Sequence, residues 1–211
     1  MGRPPQALSV GKRLCYETAV SDTFVHIRVL VGVVLGLGLT RMLTGVGRFI
    51  QHPGHKPVYL THLLWVAVII LSSIHFWWFE MELGRMHPLP FELFVFVLFY
   101  AFLFYLMATL LIPDNIDEYA GYEDYFISRR RWFFGLLAAT VPVDLIDTLV
   151  KGPAYFRSLS IEYPIRLAAV LMLSGVAAWT KNRRFQLGFA VLYLLYLVAW
   201  IGRLYRVLDF D

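Results

Sequence analysis

Charged residues and cysteine are both scarce in this chain of 211 residues. Only 16% of the residues are Asp, Glu, Lys or Arg, whereas 59% are hydrophobic and 17% are aromatic. A soluble domain of this length carries more charge and fewer long apolar runs, so the composition excludes that class and indicates a membrane protein. The one cysteine, Cys15, has no partner for an intrachain disulfide.

Several motifs that carry chemistry are also missing. The sequence has no phosphate-binding glycine loop, no metal-binding cysteine pair and no HExxH pattern, so an ATP-driven pump and a zinc protease lack their residues. No lysine lies in the middle of the last apolar segment, which excludes an opsin-type Schiff base. Despite the net charge of +4, no exposed domain remains to bind nucleic acid. We expect no metal and no cofactor, and enzymatic activity is left open but not favoured.

Long apolar segments dominate what is present. Each has the length needed to cross a hydrocarbon core of about 30 Å as a helix, and Gly, Pro and charged residues separate them. The predicted spans lie at about residues 23–43, 58–79, 90–112, 132–150, 163–180 and 185–206. Backbone groups in lipid must pair within their own segment, so the spans are expected to be helices. The prediction is an all-α, polytopic transmembrane bundle over residues 23–211, preceded by a polar arm at residues 1–22.

The two halves of the chain are weakly alike. Each has a glycine-bearing first helix, a second helix that begins near a proline and an aromatic third helix. Three spans per half would form an inverted repeat, a plan common among transporters. Gly32 and Gly36 form a GxxxG pair that predicts a close helix contact, within one chain or between subunits. We expect a homo-oligomer, because small channel proteins commonly build their conduction path between subunits.

The basic loops indicate how the spans are oriented. Lys and Arg cluster at residues 44–57, 113–131 and 181–184, which share one side of a six-span bundle. The positive-inside rule assigns that side to the cytoplasm and both termini to the other side. The N-terminal arm is itself basic and argues for the reverse orientation.

Charged residues are predicted to gather in the other half of the bundle. Asp144 and Asp147 lie about 18 and 22 Å along the fourth span from Trp132, and their spacing places both on one face. The acids and arginines expected at this level are Asp144, Asp147, Glu92, Glu162, Arg166 and Arg203. One interpretation is a salt-bridge network in which Arg166 and Arg203 hold the aspartates. The other is that one carboxylate stays under-neutralised and binds a cation or a proton, which Pro142 favours because it frees a backbone carbonyl.

Histidines and the third loop offer further candidates. His26 and His75 fall at one predicted depth and could ligate a haem iron, which makes haem b an alternative cofactor. The acidic third loop lacks the calcium-loop pattern. Its basic triplet, Arg129, Arg130 and Arg131, is expected to contact lipid phosphates or a partner, or to pair with the acids of the same loop, beside a surface helix formed by "YEDYF".

The segments "LTRMLTGVGR", "YLTHLLWV", "HFWWF", "YEDYFISRRRWFFG" and "KNRRF" together resemble a set of small uncharacterised bacterial membrane proteins of about this length. The resemblance implies the same multi-span fold in the inner membrane, and it carries over no activity and no functional residue. The leading hypothesis is a channel or transporter-like protein that moves a proton, ion or small solute past Asp144, Asp147 and Glu92. The alternatives are a non-catalytic sensor or assembly subunit that binds a partner or anionic lipid, and a membrane-bound b-haem redox protein.

Overall fold

The part of the chain that the structure describes consists of helices joined by loops. This computed structural model describes residues 10–52, 54, 56–80 and 90–206, with the side chains of 10–27, 154, 158 and 204–206 left out. These residues form seven helices and no strand: α1 (Val10–Gln51), α2 (Leu60–Phe79), α3 (Phe91–Leu111), α4 (Tyr122–Val150), α5 (Pro153–Ser158), α6 (Glu162–Trp179) and α7 (Arg183–Arg206). The predicted all-α class is confirmed.

Five of these helices are long and apolar enough to cross a membrane. They cover Arg28–Gln51, Leu60–Phe79, Phe91–Leu111, Tyr122–Val150 and Arg183–Arg203. The fifth predicted span corresponds to α6, which is helical over 18 residues but carries Glu162 and Arg166 in its first two turns. These charges lower its apolar content, so five candidate spans are found where six were predicted, and the sixth span and the inverted repeat stay predictions.

Two helices extend beyond the predicted spans. α1 begins at Val10, so residues 10–22 of the expected polar arm form the first turns of this helix. Residues 1–9 lie outside the described residues. α4 begins at Tyr122, ten residues before the predicted start of the fourth span. The "YEDYF" segment is therefore the first turn of α4 and not a separate surface helix. Its Tyr125 and Phe126 are buried in the bundle and do not lie on a membrane surface.

The long helices pack in a fixed order around a main core, with a smaller apolar cluster between α4 and α6. α1 packs chiefly on α3, α3 on α4 and α4 on α6, while α2 packs across them against α7, α3 and α1. Close α1–α3 packing depends on Gly38 and Gly45: a Cβ on Gly38 would touch Ala108, and one on Gly45 would overlap Ile112. Gly36, from the predicted GxxxG pair, has open space around it. Gly32 of that pair does lie against α2, because a Cβ there would be 3.3 Å from Nε1 of Trp77, so the predicted close helix contact is found inside one chain.

An aromatic cluster fills the centre of the bundle. Trp65 of α2 is fully buried, with ring centroids of Phe133, Phe134 and Phe189 at 5.2, 5.3 and 5.1 Å in edge-to-face geometry. Such pairs add about 0.5–1.5 kcal/mol beyond the area that they bury. The cluster joins α2, α4 and α7.

The outer surface of the bundle is apolar, unlike that of a soluble domain. Large hydrophobic side chains stand exposed on every long helix, among them Leu37, Ile74, Phe99, Ile146, Met172 and Leu192. Monomeric soluble proteins rarely expose contiguous apolar area beyond a few hundred Å². Together with the five candidate spans, this surface indicates a protein that lies in a membrane.

Candidate functional site: a charged cavity at one end of the bundle

A cavity of about 100 Å³ lies between the second halves of α2 and α4, the start of α6 and the middle and later turns of α3, with α7 closing one side. This volume holds several water molecules. Its polar lining consists of Ser72, His75, Glu80, Tyr100, Thr140, Asp144, Asp147, Thr148, Tyr163 and Arg166, and aromatic and aliphatic side chains form the rest of the wall. The two aspartates that the sequence singled out therefore do reach a common internal space.

Asp144 forms an ion pair with Arg166 across the α4–α6 contact. A guanidinium nitrogen of Arg166 lies 2.8 Å from Oδ2 of Asp144, and the Tyr100 hydroxyl donates to Oδ1 at 3.3 Å. Arg166 also lies over the rings of Tyr163 and Trp200, at 5.2 and 5.5 Å from their centroids. Both charged side chains keep roughly a quarter of their surface exposed. This pair is the open part of the site.

Asp147 forms a deeper ion pair with a lysine. Nζ of Lys151 lies 2.6 Å from Oδ2 of Asp147 and 3.1 Å from Oε1 of Glu80, and it sits 4.7 Å from the Phe79 ring centroid. The side chains of Lys151, Asp147 and Glu80 are only 3%, 3% and 7% exposed. One ammonium thus serves two carboxylates in a nearly closed environment. We call these three residues the Lys151 triad.

The helix ends explain why the triad forms. Asp147 and Lys151 are four residues apart in the last turn of α4, a spacing that places them on one face. Glu80 caps the C-terminus of α2, and α2 and α4 end at the same level of the bundle. Lys151 is also well placed at a helix C-terminus, where the helix dipole favours a cation.

Two carboxylate oxygens of the triad have no hydrogen-bond partner among the described residues. They are Oε2 of Glu80 and Oδ1 of Asp147, and both are fully buried. Burial raises the pKa of Glu80 from 4.5 to about 7, although the Lys151 ammonium opposes the shift. Burial acts to lower the pKa of Lys151, but Glu80 and Asp147 outweigh it and raise that pKa. Lys151 is therefore held in its charged form, and burial shifts the pKa of Glu80 towards neutral pH.

Hydroxyl groups join the start of α6 to α4 beside the ion pairs. The Tyr163 hydroxyl donates to the backbone carbonyl of Asp144 at 3.0 Å and lies 2.8 Å from the Thr148 hydroxyl. Tyr163 is 2% exposed and anchors the start of α6 against α4. These contacts fix the height of α6, and with it the position of Arg166 beside Asp144.

The remaining predicted charges do not line the cavity. Arg203 pairs with Glu162 at 2.6 Å, on a more exposed surface, and neither residue contacts an aspartate. Glu92 is exposed in the first turn of α3. Pro142 lies on the exposed face of α4 and does not itself line the cavity.

The predicted haem pair cannot be assembled from the described residues. The side chain of His26 lies outside them, although its backbone belongs to α1. His75 lines the cavity, and its ring stacks on Phe79 with centroids 5.5 Å apart. Within the described part of the chain, no group of three or more His, Cys, Asp or Glu residues is placed to hold a metal ion.

The basic triplet at the opposite end has three different environments. Arg130 is only 6% exposed, and it donates to the backbone carbonyls of Ile127 and Trp179. Arg129 donates to the Tyr119 hydroxyl at 2.8 Å. Arg131 lies over the Trp179 ring at 4.8 Å. Arg130 therefore ties α4 to the end of α6, and only its two neighbours are exposed for contact with lipid or a partner.

Sequence reasoning missed Glu80 and Lys151, which it assigned to loops. Each stands one residue beyond the end of a helix, beside a segment that contains helix breakers. The spacing of four between Asp147 and Lys151 was a usable signal. No sequence pattern marked Glu80, because its role depends on its contact with Lys151 at the end of α4, in a distant part of the chain.

No protein-family model, no curated protein and no solved structure compared with this chain matches it. The assignment of the site rests on its geometry and chemistry.

Proposed function

We propose that this protein is a small channel or transporter-like membrane protein that moves a proton, ion or small solute through the charged cavity. One observation carries the proposal: three carboxylates, Glu80, Asp144 and Asp147, line the cavity. They pair with two basic side chains, Arg166, which also lines the cavity, and Lys151, which does not. With all five ionised, these described residues leave one negative charge unmatched. Buried charge is costly, so an unmatched carboxylate in a membrane protein favours a cation or proton site.

The proposed setting is the inner membrane of a bacterium. In this proposal α6 is a sixth span, because Arg166 is neutralised by Asp144 and Glu162 by Arg203, which reduces the cost of placing the start of α6 near lipid. The loops at 44–57, 113–131 and 181–184 would face the cytoplasm by the positive-inside rule. The cavity would then lie in the half of the membrane away from the cytoplasm, and copies of the chain would assemble as a homo-oligomer.

Reconstituted vesicles test the proposal. The full chain is placed in proteoliposomes, and an imposed membrane potential drives proton, K⁺ or Na⁺ entry, read by dyes for each ion. We expect flux of at least one cation in the wild type and its fall to the level of protein-free vesicles in Asp144→Asn and Asp147→Asn.

Glu92→Gln is the matched control, because Glu92 is a carboxylate at the same end of the bundle that does not line the cavity. It should conduct like the wild type. Flux that is lost equally in Glu92→Gln would contradict the role of the cavity. If stable wild-type protein gives no cation flux in the vesicles, the alternative is favoured, which is a sensor or assembly subunit that binds a partner or anionic lipid.

A further inference from the structure

The Lys151 triad has an excess of one carboxylate over its single cation. An ammonium group has three N–H donors, and here two of them point to Glu80 and Asp147 while the Phe79 ring lies beside the group. One ammonium neutralises one carboxylate, and two buried carboxylates at one site do not both ionise readily, because like charges disfavour each other. The second carboxyl needs a counter-charge that the described residues do not supply.

The two unpartnered oxygens mark where that counter-charge would bind. Oε2 of Glu80 and Oδ1 of Asp147 are buried without a hydrogen-bond partner in the described part of the chain, and both residues are more than nine-tenths buried. A buried ionised oxygen without a donor is expensive. A proton on one of them removes the surplus charge and turns an unpartnered acceptor into a donor.

We propose that Glu80 and Asp147 share one exchangeable proton beside Lys151, so that the cation handled by this cavity is a proton. The assignment of a transported species rests on the proposed function, whereas the shared proton itself does not. The raised pKa of Glu80, about 7, agrees with a proton that exchanges near neutral pH.

The position of Lys151 argues for a proton and against a metal cation. Its ammonium already lies between the two carboxylates, at 3.1 and 2.6 Å, and would repel a second cation there. Hard metal cations also need about six oxygen ligands. A proton needs only one oxygen and adds no bulk to a site that is almost closed.

Other titratable groups surround the triad and connect it to the cavity. On the elements packed around it they are His75 from α2, Tyr100 from α3, Asp144 from α4, Tyr155 from α5, and Tyr163 and Arg166 from α6. Asp144 is about 25% exposed, whereas Asp147 is 3% exposed. Asp144 therefore forms the accessible side of the cavity, and the triad forms the inner end of the proton's route.

Infrared spectroscopy of the purified full chain tests the shared proton without any flux measurement. A protonated carboxyl has a C=O stretch that is distinct from a carboxylate and shifts in D₂O. We expect the wild type to show one such band that titrates away across neutral pH. Glu80→Gln and Asp147→Asn should each lose it, because either change leaves one carboxylate matched to one ammonium.

Two further variants sharpen the result. Lys151→Met should keep the band to a more alkaline pH, since both carboxyls then lack their cation, whereas a purely structural lysine would leave the titration where it was. Glu162→Gln is the matched control, because Glu162 has its own partner in Arg203 and should leave the band intact.

The wild-type spectrum decides the proposal even if a variant fails to fold. Absence of a protonated carboxyl band at neutral pH would overturn it, as would a band that survives in both Glu80→Gln and Asp147→Asn. If the band behaves as expected but the vesicles show no flux, the shared-proton proposal stands and the proposed transport function is refuted. If Na⁺ or K⁺ flux is measured but the band is absent, the proposed transport function stands and the shared-proton proposal is refuted.

Discussion

Replacement of Lys151 by methionine tests the energetics of the triad most directly. Methionine keeps an unbranched apolar chain against Phe79 but removes the ammonium that lies 3.1 and 2.6 Å from the two carboxylates. Because the carboxylates are 7% and 3% exposed, bulk water solvates them poorly and compensates only in part for the lost ammonium. Loss of one partner from a buried pair costs about 3–5 kcal/mol, so we expect the free energy of unfolding to fall by about that amount.

The assay is reversible unfolding in mixed detergent micelles, followed by the fluorescence of the six tryptophans. Lys181→Met is the matched control, because Lys181 is an exposed lysine between α6 and α7. A surface change of this kind is expected to stay within about 0.5 kcal/mol of the wild type. The loss in Lys151→Met should shrink at low pH, where protonation neutralises Glu80 and Asp147.

Removal of the carboxylates as well should restore stability. A triple variant, Lys151→Met with Glu80→Gln and Asp147→Asn, has no buried charge left in the triad and should unfold closer to the wild type than Lys151→Met does. If Lys151→Met matches Lys181→Met in stability at neutral pH, the reasoning from burial and charge is refuted.

Three other predictions follow from the described contacts. Gly45→Leu should destabilise the bundle by about 1–3 kcal/mol by overpacking the α1–α3 contact, while Gly47→Leu, in open space on the same helix, should be near neutral in the same unfolding assay. Trp65→Ala should cost about 3–5 kcal/mol because it empties the aromatic cluster, and a thermal midpoint near that of the wild type would contradict this. The raised pKa of Glu80 means that its protonated form adds stability that is complete below pH 4.5 and lost as the pH rises through about 7. The unfolding midpoint of the wild type should fall as the pH rises across that window. If the midpoint of a Glu80→Gln variant falls equally with pH, the pH dependence does not come from Glu80.

The helices could be predicted from the sequence because each depends on the composition of its own segment. An apolar run of about 20 residues in lipid must satisfy its own backbone, which allows little other than a helix. The predicted ranges 58–79 and 90–112 match α2 and α3 to within two residues. The start of α4 was misplaced by ten residues, because "YEDYF" is polar by composition and is buried only through its contacts with other helices.

The grouping of the aspartates was also predictable, but their partners were not. Alternation of spans places Asp144, Asp147 and Arg166 at the same end of the bundle, and that much follows from counting residues along helices. Which aspartate meets Arg166 depends on how α6 is rotated and how high it sits, and Tyr163 sets both through its contacts with α4. The structure pairs Arg166 with Asp144 and leaves Asp147 to Lys151.

By itself, the sequence determined that this chain is a bundle of apolar helices with acids gathered at one end, because helix formation and span alternation depend on short-range composition. Only the tertiary structure decided which of those charges are buried and which cations they meet. Glu80 is 71 residues from Lys151 along the chain, and its burial is a property of the packed ends of α2 and α4. The cost of a charge depends on what surrounds it in space, and that environment is set by helix rotation and height, which no local pattern encodes.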